Sequence, residues 1–148
     1  MAARINRVLA LTTALLAYAA IPATAQAPPE PALSATQTTV VNRKIAALHS
    51  EADRRVASEW SNSKKVAEIL CRPAATAYWK KKAPGADRVF LGTSAPETLI
   101  LESNQRLTGS GQYRTPKGWT DFRFTCDLDP EKGTVTAFAA TPPQSGGQ

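Results

Sequence analysis

The chain has 148 residues, with 18 Lys and Arg against 12 Asp and Glu, a single His, two Cys and a formal charge of +6. This length bounds one domain with one core, and a lone His beside two widely separated cysteines makes a poor zinc set. The positive balance is compatible with an anionic partner and equally with plain solubility, so charge selects neither.

In chain order, Arg4 and Arg7 precede an apolar run from Val8 to Ala20, and Ile21-Pro22-Ala23-Thr24-Ala25 adds a helix breaker and a small-x-small site. That is the grammar of a cleavable secretory signal, expected over residues 1–25 with the cut after Ala25. A cut after Ala27 also fits the small-residue rule but would leave Pro28 at the new N-terminus. A membrane-spanning helix needs about 20 apolar residues; Pro22 ends this run short of that, and no Cys follows to accept a lipid. The expected mature chain is periplasmic or secreted and has no transmembrane anchor. Loss of Arg4 and Arg7 takes its formal charge from +6 to +4.

Residues 26–37 are Pro-rich and lack apolar periodicity, which predicts a flexible spacer. Residues 38–140 are expected to form one α+β domain, and 141–148 a disordered tail. Val41, Ile45, Leu48, Ala52, Val56 and Trp60 recur at three- and four-residue steps, one face of an amphipathic helix. His49 borders that stripe, where a boundary His is the simpler reading than a general base; Glu51 and Asp53 stand on other faces. Ser61-Asn62-Ser63 then offers caps for a second helical segment, Lys64–Lys82. Pro73 inside it predicts a kink or the start of a separate short helix. Lys80-Lys81-Lys82 suits a helix C-terminus better than a phosphate patch, and Pro84-Gly85 follow as a stop.

Beyond Gly85 the apolar period changes to two. Strands are expected at Arg88–Leu91, Glu97–Ser103, Arg106–Arg114, Trp119–Leu128 and Thr134–Ala140, with turns at Ser103-Asn104-Gln105, Thr115-Pro-Lys-Gly118 and Asp129-Pro-Glu-Lys-Gly133. These links predict a roughly five-stranded antiparallel meander with the N-terminal amphipathic helices on one face. Gly109-Ser110-Gly111 lies mid-strand and reads as a bulge that curves the sheet. Parity puts Phe122, Phe124 and Cys126 on the core face and Trp119, Asp121, Arg123 and Thr125 on the other.

Cys71 and Cys126 both lie in the mature chain, an even count in an oxidising compartment, and no Cys-x-x-Cys exists; a helix-to-sheet disulfide is expected over a metal or redox pair. No Gly-x-Ser-x-Gly elbow is present, and nothing in the sequence brings Glu102, Asp121 and Asp127 together as a hydrolytic pair. No catalytic residue, metal ligand or cofactor is therefore assigned. The candidate binding surface is the group Tyr113, Arg114, Lys117, Trp119 and Arg123 around one hairpin, because aromatic and basic groups together stack on sugars or grip anions. A core-covering Trp119 with a paired Arg123 is the plainer alternative. The expected partner is an envelope protein or an anionic glycan or lipid, with no nucleic acid; an envelope hydrolase or a subunit of a larger envelope complex is the second reading.

Five short motifs carry a resemblance: Cys-x-Pro at Cys71–Pro73, Asp-Arg-Val at Asp87–Val89, Gly-x-Gly-x-x-Arg at Gly109–Arg114, Gly-Trp-x-x-Phe at Gly118–Phe122, and Cys126. Across about half of the chain they resemble a family of small exported bacterial domains catalogued as of unknown function. The resemblance implies export and a linked cysteine pair, and it brings no activity.

Overall fold

The computed structural model describes residues 28–142. The expected signal, residues 1–25, and most of the expected tail lie outside the described residues. Helix α1 spans Ala35–Ala46, α2 Glu51–Ser58, α3 Asn62–Lys65 and α4 Arg72–Lys82, with a π-helical turn Val66–Cys71 joining the last two. Strands β1 (Arg88–Leu91), β2 (Leu99–Ser103), β3 (Arg106–Thr115), β4 (Gly118–Asp129) and β5 (Thr134–Thr141) form one antiparallel sheet. The domain is α+β, with the helices on one face and a Cys71–Cys126 disulfide joining helix to sheet.

The ordered domain begins before Thr38, inside the stretch read as spacer. Ser34 and Gln37 close a capping box: the Gln37 amide donates to Ser34 Oγ (3.0 Å) and the Ser34 amide to Gln37 Oε1 (2.9 Å). Two of the orphan amides that every helix start leaves are thereby satisfied. Ser34 Oγ also donates to the Pro130 carbonyl and the fully buried Gln37 Nε2 to that of Asn104, both at 2.6 Å. The start of α1 is thus riveted to two hairpins of the sheet. At the other end β5 runs through Thr141, one residue into the expected tail.

The single helix expected from Val41 to Trp60 is two. Ser50 caps α2, accepting the Asp53 amide at 2.9 Å, and Arg54 Nη1 donates to the carbonyls of Leu48 (2.6 Å) and His49 (3.3 Å) at the break. A side-chain cap competes with helix continuation, and here it wins. The buried face rotates across the break: Ala57 is buried while Val56 is 57% exposed.

Of the two outcomes expected at Pro73 the structure has the second: the proline stands in the first turn of a separate helix, α4, and the π turn carries the chain into it. Proline cannot donate to the carbonyl four residues back, and the carbonyl of Ile69 receives Lys44 Nζ at 3.4 Å instead. The Arg72 amide reaches back five residues to Ala67. The widened turn also brings Val66, Ala67, Leu70 and Cys71 together into the core.

Strands β3, β4 and β5 form the expected meander, while β1 and β2 both pair with β3, as two halves of one edge track interrupted at Gly92–Thr98. A short 3-10 turn, Pro96–Thr98, occupies the start of the strand expected from Glu97. No bulge lies at Gly109–Gly111: the β3–β4 register is unbroken from Arg106 opposite Asp127 to Thr115 opposite Gly118. The two glycines make room. A Cβ on Gly109 would stand 3.2 Å from the Phe124 ring and against the Thr98 carbonyl; one on Gly111 would stand 2.6 Å from both the Phe122 ring and the Phe90 carbonyl. Gly-x-Gly on β3 thus faces Phe-x-Phe on β4, the small residues seating the large ones.

The core lies between helices and sheet. Phe122 sits 5.0 Å from Trp79, and Phe124 stacks on Phe138 at 5.7 Å. Both disulfide sulfurs lie in residues with no exposed surface.

Candidate binding surface

The face of the sheet turned away from the helices presents side chains set by the register. Arg88 and Phe90 of β1 lie opposite Arg114 and Gln112 of β3, while Arg114, Gln112 and Ser110 lie opposite Trp119, Asp121 and Arg123 of β4. The β3–β4 hairpin turns through Pro116-Lys117 into Gly118, whose φ of 117° is open to glycine.

Two aromatic rings anchor this face. Trp119, 46% exposed, stacks on Phe90, 38% exposed, with centroids 5.4 Å apart and planes 24° from parallel. The pair reaches diagonally across β3, within the span that long side chains cover on a sheet. The Arg114 guanidinium lies 5.7 Å from the Trp119 centroid and that of Arg72, from α4, 5.2 Å from the Phe90 centroid. The aromatic pair therefore has a cation at each end.

Arg114 and Arg88 stand opposite each other, a like-charge pair that Asp87 relieves. Asp87 accepts from Arg114 Nε at 3.0 Å and Nη2 at 2.6 Å, a two-pronged pair. The hydrogen bond from Arg114 holds the Asp87 carboxyl below its ordinary value, and the bond to Asp87 raises Arg114 in return. Asp121 accepts from Gln112 Nε2 at 2.6 Å. That leaves Arg123 without an ion pair among the described residues. It lines an open groove of about 340 Å³ with Gly92, Thr93, Ser110, Gln112 and Asp121.

Of the five residues expected around the hairpin, Arg114, Trp119 and Arg123 share this face and Lys117 sits at the turn tip. Tyr113 does not join them. It points inward and stacks on Trp79 at 4.1 Å, because it is one residue out of phase with Arg114 in a regular strand. In its place the structure supplies Phe90, Asp87 and Arg72. Phe90 was hidden within Arg-Val-Phe-Leu, where apolar residues on both parities conceal which one faces out.

The remaining titratable candidates lie elsewhere. His49 is exposed at the break between α1 and α2. Glu102 and Asp127 line one open groove of about 390 Å³ with Arg106. Arg106 Nε donates to Asp127 at 2.7 Å, and Glu102 accepts the Thr108 hydroxyl at 3.2 Å. Asp129 serves its turn, accepting the amides of Glu131 (2.9 Å) and Lys132 (3.1 Å), which lower its pKa.

No group of three or more His, Cys, Asp or Glu among the described residues is arranged to hold a metal ion, and no helix among them is long and apolar enough to cross a membrane. No family model matches the chain, and no curated protein or solved structure is significantly similar to it.

Proposed function

We propose that the mature chain is an exported binding module of the cell envelope, and that the outer sheet face around Trp119 recognises an anionic glycan. One observation carries this reading. A half-exposed Trp–Phe pair with a guanidinium beside each ring lies on the outer face of the sheet, reached from the helical layer by the Arg72 side chain. Rings of this kind stack on the apolar faces of sugars, while Ser110, Gln112 and Asp121 beside them offer hydrogen bonds to hydroxyls. Arg123, with no ion pair of its own, offers a fork for a carboxylate or phosphate. Export is supported by the signal-like N-terminal sequence and by a disulfide, which persists in oxidising compartments.

The hydrolase reading draws less support. Arg106 holds Asp127, and the groove it shares with Glu102 is open and walled by polar side chains.

The test is cosedimentation of the disulfide-bonded mature protein with purified acidic envelope polysaccharide, a neutral polysaccharide and anionic lipid vesicles as parallel arms. Acidic polysaccharide should bind, more weakly as salt rises. The Trp119→Ala/Arg123→Glu double variant should lose that binding by about tenfold or more while melting within a degree or two of the parent. Retained binding would remove Trp119 and Arg123 from the site; a collapsed melting temperature would make them structural; binding to vesicles alone would replace the glycan with a headgroup.

A further inference from the structure

The sheet has two edges, and they differ. The β1–β2 edge is interrupted at Gly92–Thr98 and carries the exposed, charged Arg88 and Glu102. The β5 edge pairs with β4 on one side only, and Thr134–Thr141 contains no charged residue and no proline. Native sheets ordinarily blunt such an edge with Lys, Pro or a covering element. Here the only interruption is at Thr136, where the register passes from Asp127–Ala137 to Leu128–Val135. Ala137–Thr141 keep regular strand geometry beyond it.

A groove runs beside this edge. Ala74, Ala77, Tyr78 and Lys81 of α4 line it with Val135–Phe138 of β5, and it is shallow and open, with a volume of about 360 Å³. Ala74 and Ala77 leave the space, since any longer side chain there would fill it. Tyr78 fixes the wall: its ring meets Phe138 edge-on at 5.5 Å, and its hydroxyl donates to the Ala140 carbonyl at 3.4 Å. Lys81 supplies charge at the groove, flanked by Lys80 and Lys82 in the last turn of α4. None of the three lysines is ion-paired among the described residues.

We infer that the β5–α4 groove is a peptide-binding site, in which an extended, acidic segment of a partner protein adds to β5 as a further strand. An edge of main-chain donors and acceptors selects an extended backbone. The small side chains of Ala74 and Ala77 leave room for an apolar or β-branched side chain of the added strand. The lysines at the end of α4 select an acid, and they set the partner's charge opposite to that of this chain. The site is separate from the outer face, and its occupancy does not depend on glycan recognition there.

Short random peptides displayed on phage are selected against the disulfide-bonded mature protein, with the Ala77→Glu variant as counter-target. Ala77 is exposed, so the variant should fold and melt as the parent does. Selected peptides should combine Val, Ile or Thr with Asp or Glu and should shift the backbone amide resonances of Val135–Thr141. Their affinity should fall about tenfold in Ala77→Glu and in Lys81→Glu. Three results overturn the proposal: no enrichment over the counter-target; peptides that shift Trp119 and Arg123 instead of β5; or a concentration-dependent dimer that Ala77→Glu dissolves, which would make a second copy the occupant. Failure of polysaccharide binding changes none of these readouts, so the two sites stand or fall separately.

Discussion

Replacing Gly111 by alanine separates two roles for glycine in a strand. In a regular strand the change should help, because glycine weakens a strand by about 0.5–1 kcal/mol relative to alanine. At Gly111 the added methyl would stand 2.6 Å from Phe122 Cζ and 2.6 Å from the Phe90 carbonyl oxygen. Neither neighbour can retreat freely. The Phe122 ring is 1% exposed and lies against Trp79 at 5.0 Å and Phe124 at 6.3 Å. The Phe90 carbonyl belongs to the edge strand paired with β3. Relief therefore moves packed core or backbone, and the cost should fall in the upper part of the 1–3 kcal/mol usual for overpacking. Urea unfolding under non-reducing conditions should show a loss of about 2–3 kcal/mol for Gly111→Ala, and a melting temperature lower by about 10 °C. Gly109→Ala, which meets the Thr98 carbonyl, should behave alike. A Gly111→Ala variant as stable as the parent, or more so, would refute the close-packing account and return the glycines to a role in curvature.

Removing the Cys71–Cys126 bond, which closes a separation of 55 residues, should lower stability by about 4 kcal/mol on the chain-entropy model; urea midpoints of a Cys71→Ala/Cys126→Ala variant measure this. Because both cysteines are fully buried, dithiothreitol should reduce the native bond only as fast as the protein opens, which timed thiol alkylation reads out. Gln37→Ala should cost about 1–3 kcal/mol, since it strands the buried carbonyl of Asn104 and opens the capping box; chemical denaturation checks the value. The depressed carboxyl groups of Asp87 and Asp129 contribute stability that is present above their unfolded pKa and lost as pH falls through their lower folded values. Melting temperature should therefore drop below about pH 4, with a smaller acid-induced drop in Asp87→Asn.

The β half of the fold was legible because strand signals there are local. Period-two alternation, the Pro and Gly positions of two hairpin turns and the parity of Phe122, Phe124 and Cys126 each needed only a few neighbouring residues. The helical half was harder to read. The stripe from Val41 to Trp60 continues through Ser50, and only the serine with Asp53 three residues later marks the break. Ser34 and Gln37 form a capping box inside a segment whose composition argues for a linker, and tertiary bonds to Pro130 and Asn104 decide in favour of helix. At the outer face the hairpin turn could be read in advance, with Arg114 and Trp119 flanking it. The meeting of Trp119 with Phe90 could not, because it depends on β1 lying beside β3 at a register that no sequence spacing encodes.

Structural duty and exposed chemistry are divided between the two faces of the sheet. The inner face is consumed by Phe122, Phe124, Cys126 and Leu128 against the π turn and α4, so its residues answer to packing. The outer face holds Arg114 and Trp119 through contacts that are exposed and individually weak, so substitution there costs the fold little. The disulfide sits close behind the second site: Cys126 lies opposite Phe138 in the β4–β5 register, and Cys71 immediately precedes α4. One covalent bond thus ties β4, the neighbour of β5, to the turn that leads into α4, the two supports of the proposed peptide groove. The Trp119–Phe90 pair is carried by β1 and β4 across β3, and α4 reaches it through the Arg72 side chain. Formation of the Cys71–Cys126 bond would accordingly brace the elements behind the groove.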